Sequence, residues 1–117
     1  MYSIKFDSVK NRIYTVLEGS SNLEEVKKCN MEFMKAVDNA KSGFTYLCDI
    51  SKRGVELPEC IEELENAKNY AIQKGLSRVA FIVDGAILKM QLKRAYGENQ
   101  TTMFVSKEEA ERYLDGK

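Results

Sequence analysis

Two short runs, FTYLCDI at residues 44–50 and RVAFIVDG at 78–85, are apolar at almost every position of their centres. A strand with one face in water alternates polar and apolar side chains, so a strand that is apolar throughout has both faces covered. Two such runs, each followed by a helical pattern, predict central strands of a sheet with helices packed on it. This excludes an all-helical bundle and an exposed antiparallel ribbon.

The flanking segments extend the sheet. YSIKFDS and RIYTVLEG alternate in polarity around a Val9-Lys10-Asn11 turn, with Tyr2, Ile4 and Phe6 on one face and Ile13, Thr15 and Leu17 set against Tyr14 and Val16. This is the pattern of an antiparallel hairpin. Residues 21–43 open with Ser21 and Glu24 in capping-box spacing, carry Leu23, Val26, Asn30, Phe33, Val37 and Ala40 at helical spacing, and stop at Gly43. A second helix is expected over Pro58 to Lys74, with proline at the first position and Glu59, Glu62 and Glu63 at the positive end of its dipole. Asp84 is placed to cap a third helix, AILKMQLKRAYG. A short strand, QTTMFVS, and a final helix, SKEEAERYL, with Ser106 and Glu109 as its capping box, complete the chain.

The expected architecture is a single α/β domain over residues 1–117. It has a mixed sheet of about five strands, an N-terminal antiparallel hairpin followed by β-α crossovers, and about four helices packed on the sheet. A length of 117 residues suits one layered core.

Composition narrows the function. Lysine plus arginine and aspartate plus glutamate each total 18, which gives no net pull toward nucleic acid. No apolar run approaches the length of a membrane span and the first residues lack the apolar stretch of a signal peptide, so a cytoplasmic location is expected. Cys29, Cys48 and Cys60 are odd in number and not in Cys-x-x-Cys spacing, which points to reduced thiols rather than a disulfide framework or zinc site. The absence of histidine removes the commonest general base and metal ligand. The reading is therefore not an enzyme, with no cofactor and no metal.

The element order, with Asp49-Ile50-Ser51 closing the third strand, resembles the STAS domain, the fold of the anti-sigma-factor antagonists. More closely, the chain resembles a family of short STAS-like proteins of bacteria and archaea through NRIYTVLEG, GFTYLCDIS, the proline-initiated helix, GLSRVAFIVDG, MQLKR and MFVSKEEAERYL. The resemblance implies a regulatory module that binds a protein partner or a second copy of itself. In such antagonists the loop after the third strand usually carries a serine that a partner kinase phosphorylates. Here the equivalent positions are Leu57, Pro58 and Glu59, which carry no hydroxyl, so the phosphoserine switch is not carried over. The layout is also similar to that of CRAL-TRIO lipid-carrier domains, which implies an alternative, a carrier of a small apolar or lipid-like ligand between helices and sheet.

The candidate ligand or partner residues cluster at strand ends and on the third helix. Asp49 and Ser51 stand at the C-terminal end of a parallel strand, where open α/β sheets hold ligands, although both side chain types also serve simply to satisfy loop amides. Lys52 and Arg53 read as an exposed basic elbow ahead of Glu59 and the helix amino end. Asp84 is expected on the same edge of the sheet, and Lys89 and Lys93 form a basic face on the helix after it. Helix capping is the competing reading for Asp84, and solvated charge for Lys52, Arg53, Glu59, Lys89 and Lys93.

Overall fold

The computed structural model of the chain describes residues 2–19, 22–53, 58–85, 89–90, 93 and 102–116. Its elements are β1 (Tyr2–Asp7), β2 (Arg12–Gly19), α1 (Leu23–Asn39), β3 (Thr45–Arg53), α2 (Pro58–Gln73), β4 (Arg78–Ile82), β5 (Met103–Phe104) and α3 (Lys107–Leu114). The strands form one five-stranded sheet in the order β1-β2-β3-β4-β5, antiparallel at the hairpin and parallel elsewhere. The expected mixed sheet is present, with three helices among the described residues. Most of the helix expected over 86–97 lies outside them, while Lys89, Met90 and Lys93 have helical backbone.

The strictly sequential strand order determines how the faces are covered. Parallel strands are joined by right-handed crossovers, so a sheet that always steps in one direction puts its crossover helices on one face. The α1 and α2 helices accordingly share a core with that face. Ile13, Tyr46, Cys48 and Phe81 of the sheet pack with Phe33 and Val37 of α1 and Ala67 and Ala71 of α2. Tyr46 stands at its centre, with ring centroids 4.7 Å from Phe33 and 6.5 Å from Phe81. Asn30 lies on the buried stripe of α1, and its amide donates to the Glu63 carbonyl oxygen at 2.8 Å, so the two helices satisfy that polar group between them.

The opposite face is left to α3, eight residues long. Its Ala110 and Leu114 pack on Leu47, Ala80 and Ile82, with Tyr14, Phe104 and Tyr113 around them. Helix α3 meets β3, β4 and β5. Its eight residues make little more than two turns, so among the described residues α3 leaves most of β1 and β2 on that face uncovered.

Local chemistry positions these elements. Asp7 Oδ1 accepts the amides of Val9 and Lys10 at 2.9 and 3.1 Å, and Asn11 takes φ 54°, which closes the hairpin. The Asn11 side chain then exchanges hydrogen bonds with the backbone of Lys41, tying the hairpin to the α1–β3 connection. Two expectations are corrected. The N-cap of α1 is Asn22, whose Oδ1 accepts the Glu25 amide at 2.9 Å, while Ser21 lies outside the described residues. Asparagine caps as well as serine, which moves the helix start by one residue. The third strand does not stop at Asp49-Ile50-Ser51 but runs to Arg53, with Lys52 opposite Glu18 and Arg53 opposite Gly19. The basic pair is part of the sheet rather than a loop, because β2 extends to Gly19 and gives it a partner. The capping role of Ser106 is as expected, its Oγ accepting the Glu109 amide at 3.3 Å.

The exit from α2 depends on Gly75, which takes φ 103° and whose carbonyl accepts the Gly43 amide at 2.8 Å. A Cβ there would lie 2.4 Å from Ser42 Oγ and 3.0 Å from Ser42 Cα. Gly75→Ala is expected to cost about 1–3 kcal/mol through positive-φ strain. Urea unfolding would show it as a lower midpoint at unchanged slope, and an unchanged midpoint would mean that the turn relaxes without cost.

Candidate functional site

The open face is organised by a buried charge. Arg12 begins β2 on the side away from α1 and α2, and its side chain is 3% exposed. Its Nε donates to Thr45 Oγ1 at 2.8 Å, one terminal nitrogen to Glu111 Oε1 at 2.6 Å and the other to Asp115 Oδ1 at 2.7 Å. The fork of the guanidinium thus joins β2, β3, α3 and the residue that ends α3. Tyr14, two residues on and on the same face, donates its hydroxyl to Glu111 Oε1 at 2.8 Å. Lys10 adds a looser ion pair to Glu111 at 3.7 Å.

The cluster holds its charges firmly. Burial works against the charged guanidinium, but the hydrogen bonds to Asp115, Glu111 and Tyr14 outweigh it and hold Arg12 above the usual arginine value. Burial likewise raises Glu111, yet the donors Tyr14 and Arg12 prevail and bring it below its ordinary 4.5. Burial and the bond to Glu111 push the Tyr14 phenol up.

Beside this cluster, where α3 gives out, lies a half-open pocket of about 400 Å³. Val16, Leu47 and Ile82 line its apolar floor, and Tyr14 and Glu111 form the side nearest α3. Its rim is polar, with Ser3, Lys5 and Asp7 from β1, Lys10 from the hairpin turn and Lys107 from the first turn of α3. Lys107 Nζ stands 5.5 Å from the centroid of the Tyr14 ring, a cation–π contact. Asp49 completes the lining from β3.

Asp49 sits at a bulge. Between Val16 and Glu18 the register on β2 advances two residues while β3 advances three, from Asp49 to Lys52. A bulge leaves backbone groups outside the ladder. Asp49 Oδ1 meets that need by accepting the Ser51 amide at 3.1 Å and the Ser51 hydroxyl at 2.7 Å. Asp49 and Ser51 are therefore a mutually satisfied pair, with Ser51 held within the strand. Lys52 is exposed beyond them, and of Arg53 and Glu59 the structure describes the backbone, in β3 and in the first turn of α2. Asp49 pairs with Ile82 across β3 and β4, so Ser51 and the exposed Asp84 both lie two residues past that pair, at one end of the sheet. Lys89 and Lys93 are exposed and four residues apart on helical backbone.

Arg12, Tyr14, Lys5, Lys107 and Glu111 were not among the residues singled out from sequence. The available signal was the period of two: Lys5 and Asp7 on β1, and Arg12 and Tyr14 on β2, share the face opposite the apolar one. Glu111 and Asp115, four apart, mark the matching face of α3. Among the described residues no group of three or more histidines, cysteines or carboxylates is placed to hold a metal, and no helix is long and apolar enough to cross a membrane. Cys48 and Cys60 are buried.

A five-stranded mixed sheet in sequential order, with the crossover helices on one face and a short helix, α3, on the other, defines a STAS-like α/β fold. The chain is similar in structure to SpoIIAA, an anti-sigma factor antagonist, in its unphosphorylated form, with a TM-score of 0.79 at 8% identity over 100% of this chain and 98% of that one. It is also similar to an uncharacterised SpoIIAA-like protein of the DUF3478 family from Shewanella loihica PV-4, with a TM-score of 0.72 at 16% identity over 97% and 93% of the two chains. An anti-sigma factor antagonist from Mycobacterium paratuberculosis gives a TM-score of 0.70 at 7% identity over 98% and 95%. No family model matches the sequence, and no curated protein matches it.

Removing Arg12 strands two carboxylates against the sheet. Breaking a fully buried pair costs about 3–5 kcal/mol, and because Glu111 and Asp115 retain contact with water, Arg12→Ala is expected to cost about 2–3 kcal/mol. The acid dependence should change with it. Glu111 is lowered in the folded state, so its contribution is present above 4.5 and lost as pH falls through its folded value. Urea unfolding of wild type on either side of that range should show the loss, and the Arg12→Ala curve should be flatter there. Parallel curves would remove Glu111 from the account of acid sensitivity.

Proposed function

We propose that this chain is a non-catalytic, STAS-like regulatory module that engages a protein partner, or a second copy of itself, at the end of the sheet where β3 and β4 finish. The observation that carries this reading is the end-to-end structural likeness to an anti-sigma factor antagonist, which spans 100% of this chain and 98% of that one. The side-chain chemistry agrees with it. The chain has no histidine, two of its three cysteines are buried, and the Ser51 hydroxyl donates to the Asp49 carboxylate, a weak base already engaged by the Ser51 amide.

The engaged surface in this reading comprises Asp49, Ser51, Lys52, Arg53, Glu59, Asp84, Lys89 and Lys93. Lys89 and Lys93 are exposed, as is Met90 between them at 58%. A long apolar side chain flanked by cations is the composition of an interface centre with a charged rim. The module works without a phosphoserine switch, since Leu57, Pro58 and Glu59 offer no acceptor.

The test is native mass spectrometry of complexes isolated gently from the host, comparing wild type with a Lys89→Glu/Lys93→Glu variant. A stoichiometric partner or dimer that weakens about tenfold or more in the variant, equivalent to about 1.4 kcal/mol, is the expected result. An unaltered complex would sink the surface assignment, and a bare monomer under all conditions would sink the reading itself. Phosphatase treatment should leave the complex unchanged.

A further inference from the structure

We propose that the pocket on the α3 side of the sheet binds a small amphipathic carboxylate, with its anionic head between Lys5 and Lys107 and its apolar body on Val16, Leu47 and Ile82. This site shares only Asp49 with the surface at the sheet end that carries Lys89 and Lys93.

Its size comes first. About 400 Å³ falls within the range of roughly 300–1,000 Å³ typical of small-molecule sites. The floor is made by side chains of three adjacent strands, β2, β3 and β4, and is therefore preformed rather than assembled from loops. An apolar body resting there removes floor surface from water, which favours binding.

The charges select the head. Lys5, Lys10 and Lys107 face Asp7, Asp49 and Glu111 around the rim, so the formal charges cancel, but their engagement differs. Asp7 accepts two turn amides, Asp49 accepts from Ser51, and Glu111 accepts from Arg12 and Tyr14 with Lys10 nearby. Every rim carboxylate is thus occupied by the protein's own donors. Lys5 and Lys107 are not. Neither makes an ion pair among the described residues, and both line the pocket, Lys5 from the position opposite Tyr14 on β1 and Lys107 above the Tyr14 ring. An incoming anion meets two ammonium groups without displacing an existing ion pair, whereas a cation must compete with them and a neutral apolar molecule leaves them unused.

The experiment uses the full chain, isotope-labelled for amide NMR and titrated with decanoate below its micelle-forming concentration. Decanol and decyltrimethylammonium serve as neutral and cationic counterparts. Saturable shifts centred on Val16, Leu47, Asp49 and Ile82 are expected for decanoate. Affinity should fall at least about tenfold for decanol and for decanoate with a Lys5→Gln/Lys107→Gln variant, the size of one lost charge-assisted contact. Both lysines are exposed, and the variant's unliganded spectrum reports whether the fold is kept; Lys27→Gln, exposed on α1 and outside the pocket, should bind as wild type does. Equal affinity for decanol and decanoate, shifts centred on α1 and α2, or no saturable binding would each overturn the proposal. So would concentration-dependent shifts at the same residues without any ligand, which would assign this face to a second copy. None of these outcomes changes the partner interaction tested through Lys89 and Lys93, so the two readings fail independently.

Discussion

A guanidinium that is almost wholly withdrawn from water stays charged only if the protein replaces its hydration, and Arg12 obliges three elements to do so. Thr45 supplies an acceptor from β3, and Glu111 and Asp115 supply carboxylates from α3 and the turn after it. The direction of each donor is set by a planar fork, so α3 has little freedom to slide or rotate on the sheet. Apolar contacts of Ala110 and Leu114 supply most of the attraction there, but they are non-directional, and a helix of eight residues has few of them. The ion cluster therefore fixes where α3 ends and, in consequence, how much of the sheet face is left uncovered. The pocket, its lysine pair and the position of Tyr14 all follow from that placement.

Much of this fold was legible because its dominant signals are short-range. FTYLCDI and VAFIV report burial on both faces within a few residues, and the capping residue Ser106 and the proline at the head of α2 are punctuation with a local cause. What depended on a neighbour was not legible. The extension of β3 through Lys52 and Arg53 is driven by the length of β2, and lysine and arginine in series resemble a loop when that partner is unknown. The bulge that makes Asp49 and Ser51 satisfy one another is likewise a mismatch between two strands, visible in neither alone.

The site divides along the same line. Asp49 is expected from sequence at a strand end, whereas in the structure it stands at a bulge within β3 and lines the pocket wall. Arg12 was passed over because one charge at the start of an alternating strand looks like any solvated edge residue. Its partners are nearly the whole chain away, 99 and 103 residues downstream. A sequence read in windows of helix or strand length has no means of joining such positions. Lys5 and Lys107, which line one pocket from opposite ends of the chain, are missed for the same reason.

Those separations also bear on how the domain comes into being. Each strand of the sheet lies beside its predecessor, so during synthesis the sheet grows by adding one crossover at a time to a finished edge. The hairpin emerges ahead of the other elements, with Arg12 still hydrated, and the α3 side of Leu47, Ala80 and Ile82 stays bare until α3 itself has been made. Closure of the domain is thus postponed to its final turn of helix. A chain cut short before Glu111 has its strands but lacks the clasp, leaving a greasy face and a stranded cation for proteases and chaperones to recognise.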